Sequence, residues 1–209
     1  MEIEEYIAQH IDEEGEYLHR LYRATQTQLL YGRMASGHVQ GRLLKMLVEM
    51  IRPKQILEIG TYSGYSALCM AEGLAEDGMV HTIEIFDELE DFTRPWIENS
   101  PWADKVKFYI GDALEIVPNL DITFDLAFID GNKREYVNYY NMVIQYMNKG
   151  GYIFADNTLW DGHVLEPPPI DDEQTIGIMA FNDLVANDTR VEKVILPLRD
   201  GLTMIRCKN

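Results

Sequence analysis

Apolar residues recur at helical spacing near the start of the chain, at Ile3, Tyr6, Ile7 and Ile11 and again at Tyr17, Leu18, Leu21 and Tyr22, with acids between them. Gly15 separates the two sets and predicts a break into two amphipathic helices. A stronger stripe, Val39, Leu43, Leu44, Leu47 and Met50, predicts a helix over 38–51. From residue 54 the pattern alternates. QILEIG (55–60), VHTIEI (80–85), VKFYIG (106–111), FDLAFID (124–130) and GYIFADN (151–157) read as strands. The intervening stretches predict helices from Ser66, over 87–98, to Val117 and over 134–147. Continuously apolar strands alternating with helices predict a parallel sheet covered on both faces. The last part differs: a helix over 174–187 precedes VEKVILPL (191–198), an Asp200-Gly201 turn and LTMIRC (202–207). That order predicts an antiparallel hairpin at one edge. The fold class expected is α/β, a doubly wound, mostly parallel sheet with a C-terminal antiparallel hairpin.

A chain of 209 residues, 46% hydrophobic, has room for one sizeable domain with its own core. Residues 1–35 are expected to form an N-terminal helical segment, a lid or a dimer contact, and 36–209 the main domain. No apolar run approaches the ~20 residues of a membrane span. The acidic start lacks the basic and apolar regions of a signal peptide, so a cytoplasmic location is expected. Cys69 and Cys207 have no metal-ligand spacing and read as small buried side chains. Acids outnumber bases 35 to 18, a net charge of −17, which disfavours a nucleic-acid partner and favours a small molecule.

Candidate chemistry clusters at the strand ends. Gly60-x-x-x-Gly64 after the first strand lacks the dinucleotide spacing G-x-G-x-x-G, which makes pyrophosphate binding less fitting. Taken alone, it reads equally as a cofactor loop or a tight strand-to-helix turn. Glu84 ends the second strand, where a carboxylate can accept from both ribose hydroxyls. Asp112 follows the third strand, placed for an adenine edge, and Glu58 sits beneath the loop, where a sulfonium or ammonium is favoured. Each acid has an alternative role as a helix cap. Together they suit a cationic ligand without phosphate, S-adenosylmethionine (SAM) rather than NAD.

Asp130 closes the fourth strand and Asp156-Asn157 the fifth. If those strands are neighbours, two carboxylates and an amide oxygen reach one ion. Oxygen-only ligation selects a hard cation such as Mg²⁺. Three protein oxygens, a water and two substrate oxygens would complete six ligands, and an aromatic vicinal diol would supply the last pair. A phenol titrates near ~10, so coordination to a divalent ion would help form the attacking phenolate. Lys133 is placed to collect the proton, with a solvated loop lysine as its alternative reading, and Asp130-Gly131 could equally be a plain turn. His38, His81 and His163 share no metal spacing and read as surface or packing residues. The tyrosines at 136, 139, 140 and 146 read as one helix face packed on the sheet.

LEIGTYSGYS, TIEI, FIDGNKREYVNYY, ADNTLWDGHV and DGLTMIR, in that order, resemble the cation-dependent O-methyltransferase family, which includes catechol and caffeoyl-CoA O-methyltransferases and bacterial relatives. The resemblance runs from about residue 34 to 207 and implies a Rossmann-like, class I methyltransferase fold. It implies that Asp130, Asp156 and Asn157 bind the metal, Mg²⁺ or another divalent cation such as Mn²⁺ or Ca²⁺, and that Lys133 is the general base. It also implies SAM contacts from Met34, Ser36, Glu58, Gly60, Ser66, Glu84, Asp112 and Asp130, and an acceptor pocket with Trp160 and Thr203. Asn132 and Thr203 stand where animal catechol enzymes carry a tryptophan and a diol-binding glutamate, so the chain resembles the caffeoyl-CoA and bacterial branch more. The acidic, proline-stiffened loop 162–174 is a candidate lid ill suited to polyanionic coenzyme A. The activity implied is O-methylation of a small catechol-type acceptor by a homodimer, with tRNA hydroxyuridine methylation as the alternative that the net charge disfavours.

Overall fold

The computed structural model describes residues 3–208; Met1, Glu2 and Asn209, at the ends of the expected segments 1–35 and 36–209, lie outside the described residues. The first half of the chain runs α1 (Ile3–Ala8), α2 (Gly15–Gln28), α3 (Gly37–Ile51), β1 (Gln55–Ile59), α4 (Tyr65–Gly73), β2 (Met79–Glu84), α5 (Glu90–Glu98) and β3 (Val106–Ile110). The second half runs α6 (Ala113–Ile116), β4 (Phe124–Ile129), α7 (Tyr136–Tyr146), β5 (Met147–Ala155), α8 (Glu173–Asn187), β6 (Val191–Leu196) and β7 (Leu202–Cys207). The seven strands form a mostly parallel sheet whose last two strands are antiparallel, the α/β class expected.

Two compact units divide the chain, Met1–Lys54 with Thr61–Ile110, and Gln55–Gly60 with Gly111–Asn209. Helix α2 is built into the first unit. Leu18 and Leu21 on α2 are fully buried, worth about 1.5–3 kcal/mol each. Helix α2 packs on α4, whose residues Tyr65–Ala71 are all buried, as an apolar helix without a polar face should be. Just before α2, the Glu14 carboxylate accepts the Tyr65 hydroxyl. Helix α1 is a separate short piece whose Ile3 and Tyr6 are exposed. In this unit β2 and β3 pair in parallel, Val80 opposite Val106 and Glu84 opposite Ile110. His81 is buried and bonded to Tyr109, and burial pushes its pKa down to about 4, in keeping with a packing role.

In the second unit β1 pairs with β4 and β4 with β5, all parallel, while β7 runs antiparallel to both β5 and β6. Two boundaries differ from the sequence pattern. Strand β5 begins at Met147, directly after α7, rather than at 151. Its first residues, Asn148, Lys149, Gly150 and Gly151, carry no apolar alternation, and the ladder slips between Phe124 and Leu126. Asn148 compensates by donating to the Asp125 carboxylate at 2.7 Å. Strand β6 stops at Leu196 because Pro197 offers no amide to a ladder. Both cysteines are free and buried, and burial pushes the Cys69 thiol up to about 12. No helix among the described residues is long and apolar enough to cross a membrane.

Candidate active site

Asp130, Asp156 and Asn157, expected from sequence to hold a metal, follow directly on the C-terminal ends of β4 and β5. Ile129 and Ala155 are register partners, so Asp130 and Asp156 follow on adjoining strand ends. Their backbones continue the ladder: Asp130 N–H donates to Ile59 C=O at 2.9 Å and Asp156 N–H to Ile129 C=O at 3.0 Å. Asp156 is buried, and its Oδ1 accepts the Asn157 amide at 2.9 Å. Asn157 occupies the left-handed region at φ 59°, which asparagine tolerates better than most residues. Its side-chain nitrogen donates to Asp200 at 3.4 Å, which assigns Oδ1 as the remaining acceptor. Two carboxylates and an amide oxygen therefore fit a hard divalent cation by donor chemistry. Among the described residues no group of three His, Cys, Asp or Glu side chains meets the requirements of a metal site, and this set has only two such members.

Lys133 is not a solvated loop lysine. It opens a short 3-10 turn before α7 and is buried. Its ammonium donates to Asp130 Oδ1 at 2.8 Å and to the Tyr136 hydroxyl at 2.8 Å. Asn132 caps that turn by accepting Arg134 N–H at 3.2 Å. Tyr136, which the sequence pattern reads only as packing, is thus a polar member of the site. Burial, reinforced by the Asp130 and Asp156 charges, pushes its phenol well above its ordinary pKa and keeps it protonated. The signal that could have found it is its i+3 spacing from Lys133.

The loop after β5 is stapled to the β6–β7 turn. Thr158 N–H donates to Gly201 C=O at 3.0 Å, and the Leu159 and Trp160 amides donate to Asp200 C=O at 2.7 and 3.1 Å. Trp160 and Asp161 are held in the left-handed region at φ 48° and 51°, a strained arrangement for residues other than glycine or asparagine. Trp160 is half-buried on this staple. Thr203 is buried beside it, its hydroxyl donating to Thr158 Oγ1 at 2.7 Å. The threonine thus serves the loop's internal bonding, which sequence spacing had not indicated.

The residues implied for SAM fall in both units. In the first, Glu84 accepts the Tyr62 amide at 2.8 Å on one oxygen and the Phe86 amide at 3.1 Å on the other, so its carboxylate is held in one orientation. The glycine loop is fixed there by a 2.5 Å bond between the Thr61 and Thr82 hydroxyls, and Thr93 donates to Tyr62 C=O at 2.5 Å. Ser36 and Ser66 are buried, whereas Met34 is exposed. In the second unit Glu58 is fully buried on β1. Asp112 caps α6, its Oδ1 accepting Leu114 N–H at 2.8 Å. Gly60 has φ +100°, and a Cβ there would stand 2.3 Å from Asp130 C=O, so this glycine is required by close backbone approach within the protein itself.

A family model described as O-methyltransferase matches residues 8–208. The chain is similar to tricin synthase 2 of Oryza sativa subsp. japonica, 35% identical over 204 residues that cover 92% of this chain and 70% of that protein. It is 34% identical over 184 residues to caffeoyl-CoA O-methyltransferase 5 of Nicotiana tabacum, covering 83% and 77% of the two chains. Among solved structures it resembles the O-methyltransferase TomG of Streptomyces achromogenes in complex with SAM, with a TM-score of 0.90 and 27% identity over 99% of this chain and 96% of that one. It also resembles an SAH-bound methyltransferase of Podospora anserina, with a TM-score of 0.91 and 27% identity over 99% and 94%.

Proposed function

The chain belongs to this O-methyltransferase family and is a SAM-dependent O-methyltransferase; from that premise we propose that it methylates one hydroxyl of a small aromatic vicinal diol with the help of a divalent cation. The observation that carries the reading is the β4–β5 register, which sets Asp130 beside Asp156 with buried Lys133 bonded to Asp130. Asp130, Asp156 and Asn157 would hold the cation, Mg²⁺ first among hard ions. When bound, such an ion supplies Lewis acidity that favours the phenolate and orients it. In the transfer the methyl carbon leaves the sulfonium sulfur and bonds to the phenol oxygen, giving SAH and a methyl ether. Lys133 Nζ, in its neutral amine form, is the group placed to collect the phenol proton and becomes the ammonium that donates to Asp130 and Tyr136. Glu84, Glu58 and Asp112 would bind the cofactor, with Met34, Ser36, Gly60 and Ser66 around it.

The acceptor class is supported by ligand counting, since three protein oxygens and a water would leave a hard divalent cation room for two substrate oxygens, and by relatives that include enzymes named for caffeoyl-CoA. Asp161 and two residues of the candidate lid, Glu166 and Asp172, line a hollow of about 460 Å³, an acidic setting that favours a neutral or cationic acceptor over a polyanionic one. The net charge of −17 supports a small molecule over RNA.

A labelled-methyl screen with Mg²⁺ against catechol, caffeoyl esters, hydroxylated flavonoids and bulk tRNA tests the acceptor. In the same assay EDTA is expected to abolish transfer and added Mg²⁺ to restore it; full activity in chelator would remove the cation from the reaction. Glu84→Gln is expected to weaken SAM about 10- to 100-fold by calorimetry, because an amide loses charge-assisted bonds and sets an NH₂ against backbone donors. Unchanged affinity would take Glu84 out of the cofactor site.

A further inference from the structure

Tyr136 opens α7 one turn beyond Lys133, and its ring is fully buried, edge-on to Phe181. Its hydroxyl meets three polar groups: Lys133 Nζ at 2.8 Å, Ile129 C=O at 3.2 Å and Asp156 C=O at 3.0 Å. A phenol has one proton and acceptor lone pairs, so the oxygen accepts from the ammonium while its proton is shared by the two carbonyls. Those carbonyls lie at the ends of β4 and β5, immediately before Asp130 and on Asp156 itself. Lys133 continues the chain of bonds to Asp130 Oδ1. Packing alone would be met by a phenylalanine ring of the same shape, so the buried hydroxyl calls for a polar task.

We propose that Tyr136 is a positioning residue, whose hydroxyl ties the two strand ends together and fixes the Lys133 ammonium between Asp130 and the helix. The proposal rests on the roles given above to Asp130, Asp156 and Lys133. It acts through those groups and touches no reacting atom. Loss of the hydroxyl frees Lys133 Nζ to move and leaves the β4 and β5 carbonyls without their common donor, so the ligand spacing relaxes.

The test compares the unsubstituted protein with Tyr136→Phe. Direct Mn²⁺ binding, followed by calorimetry, is expected to weaken about 10- to 100-fold, as for other outer partners of metal ligands. SAM affinity is expected to stay within about twofold, the spread of independent sites. A purely structural role would lower Tm and leave Mn²⁺ affinity of the folded variant unchanged, and that result overturns the proposal. Should the unsubstituted protein bind no Mn²⁺, the metal reading fails separately, and turnover of catechol decides about Tyr136. There Tyr136→Phe should lower kcat on the order of 10²-fold, yet change it by no more than about twofold in a Lys133→Ala background. Equal losses in both backgrounds overturn positioning through Lys133. If the variant does not fold or catechol is not turned over, the unsubstituted protein still answers by NMR. The Tyr136 hydroxyl proton should exchange slowly and show a nuclear Overhauser effect to the Lys133 ε-methylene; a rapidly exchanging hydroxyl without that contact overturns the proposal.

Discussion

Asp156→Ala is expected to lower methyl transfer on the order of 10²-fold or more while SAM binds within about twofold of its original affinity. The carboxylate stands at the end of β5, nearly inaccessible, and would be one of two anionic ligands to the cation. Its backbone bond to Ile129 C=O does not depend on the side chain, so the strand end should survive. The change also removes the acceptor for the Asn157 amide, which holds the third ligand in its left-handed conformation. Metal and ligand geometry would therefore be lost together, whereas the Asp156 side chain is not among the groups proposed for the cofactor. Asp156→Asn separates the two effects: its Oδ1 can still accept the Asn157 amide, but the charge is gone, and turnover should remain low. The measurement is labelled-methyl transfer beside calorimetric SAM binding. Parallel loss of both quantities would contradict this division of labour.

Gly60→Ala is expected to destabilise the protein by about 3–5 kcal/mol, a large share of the ~5–15 kcal/mol that holds a domain folded. Two costs combine. The backbone is at φ +100°, where an L side chain is strained, and the new Cβ would lie 2.3 Å from Asp130 C=O and 2.7 Å from its carbon. These are backbone atoms of the residue that directly follows β4, not the end of a flexible side chain, so relief requires β1 and β4 to part at their ends. Asp130, whose own amide bonds Ile59 C=O, would move with them. Denaturant midpoints should therefore fall and any folded fraction should methylate poorly. A loss below about 1 kcal/mol would mean that the strand ends yield more easily than close packing allows.

Much of the fold was legible because it is locally encoded. Apolar runs such as FDLAFID and the stripe at Leu43, Leu44 and Leu47 announce their periods without reference to distant residues. The N-terminal pattern was less informative. Identical-looking stripes on α1 and α2 end differently, with Ile3 exposed and Leu18 buried, because only α2 has α4 to pack against. The start of β5 was hidden because its ladder is held by side-chain bonds from Asn148 and by a register slip, not by alternation.

For the site, the sequence by itself determined which acids stand at strand ends, since a strand's last residue and the loop glycines after it are local features. It also determined the family, through motifs spread over most of the chain. Tertiary structure alone decided that Asp130 and Asp156 are neighbours, because strand pairing joins residues far apart in the chain. It decided that Lys133 is buried rather than solvated, and that Tyr136 is a polar bracket rather than packing. It also showed that Asp112 caps α6 and that Thr203 bonds to Thr158. The physical reason is the same in each case: residue type sets what a group can donate or accept, but burial and pairing across the fold set what it meets.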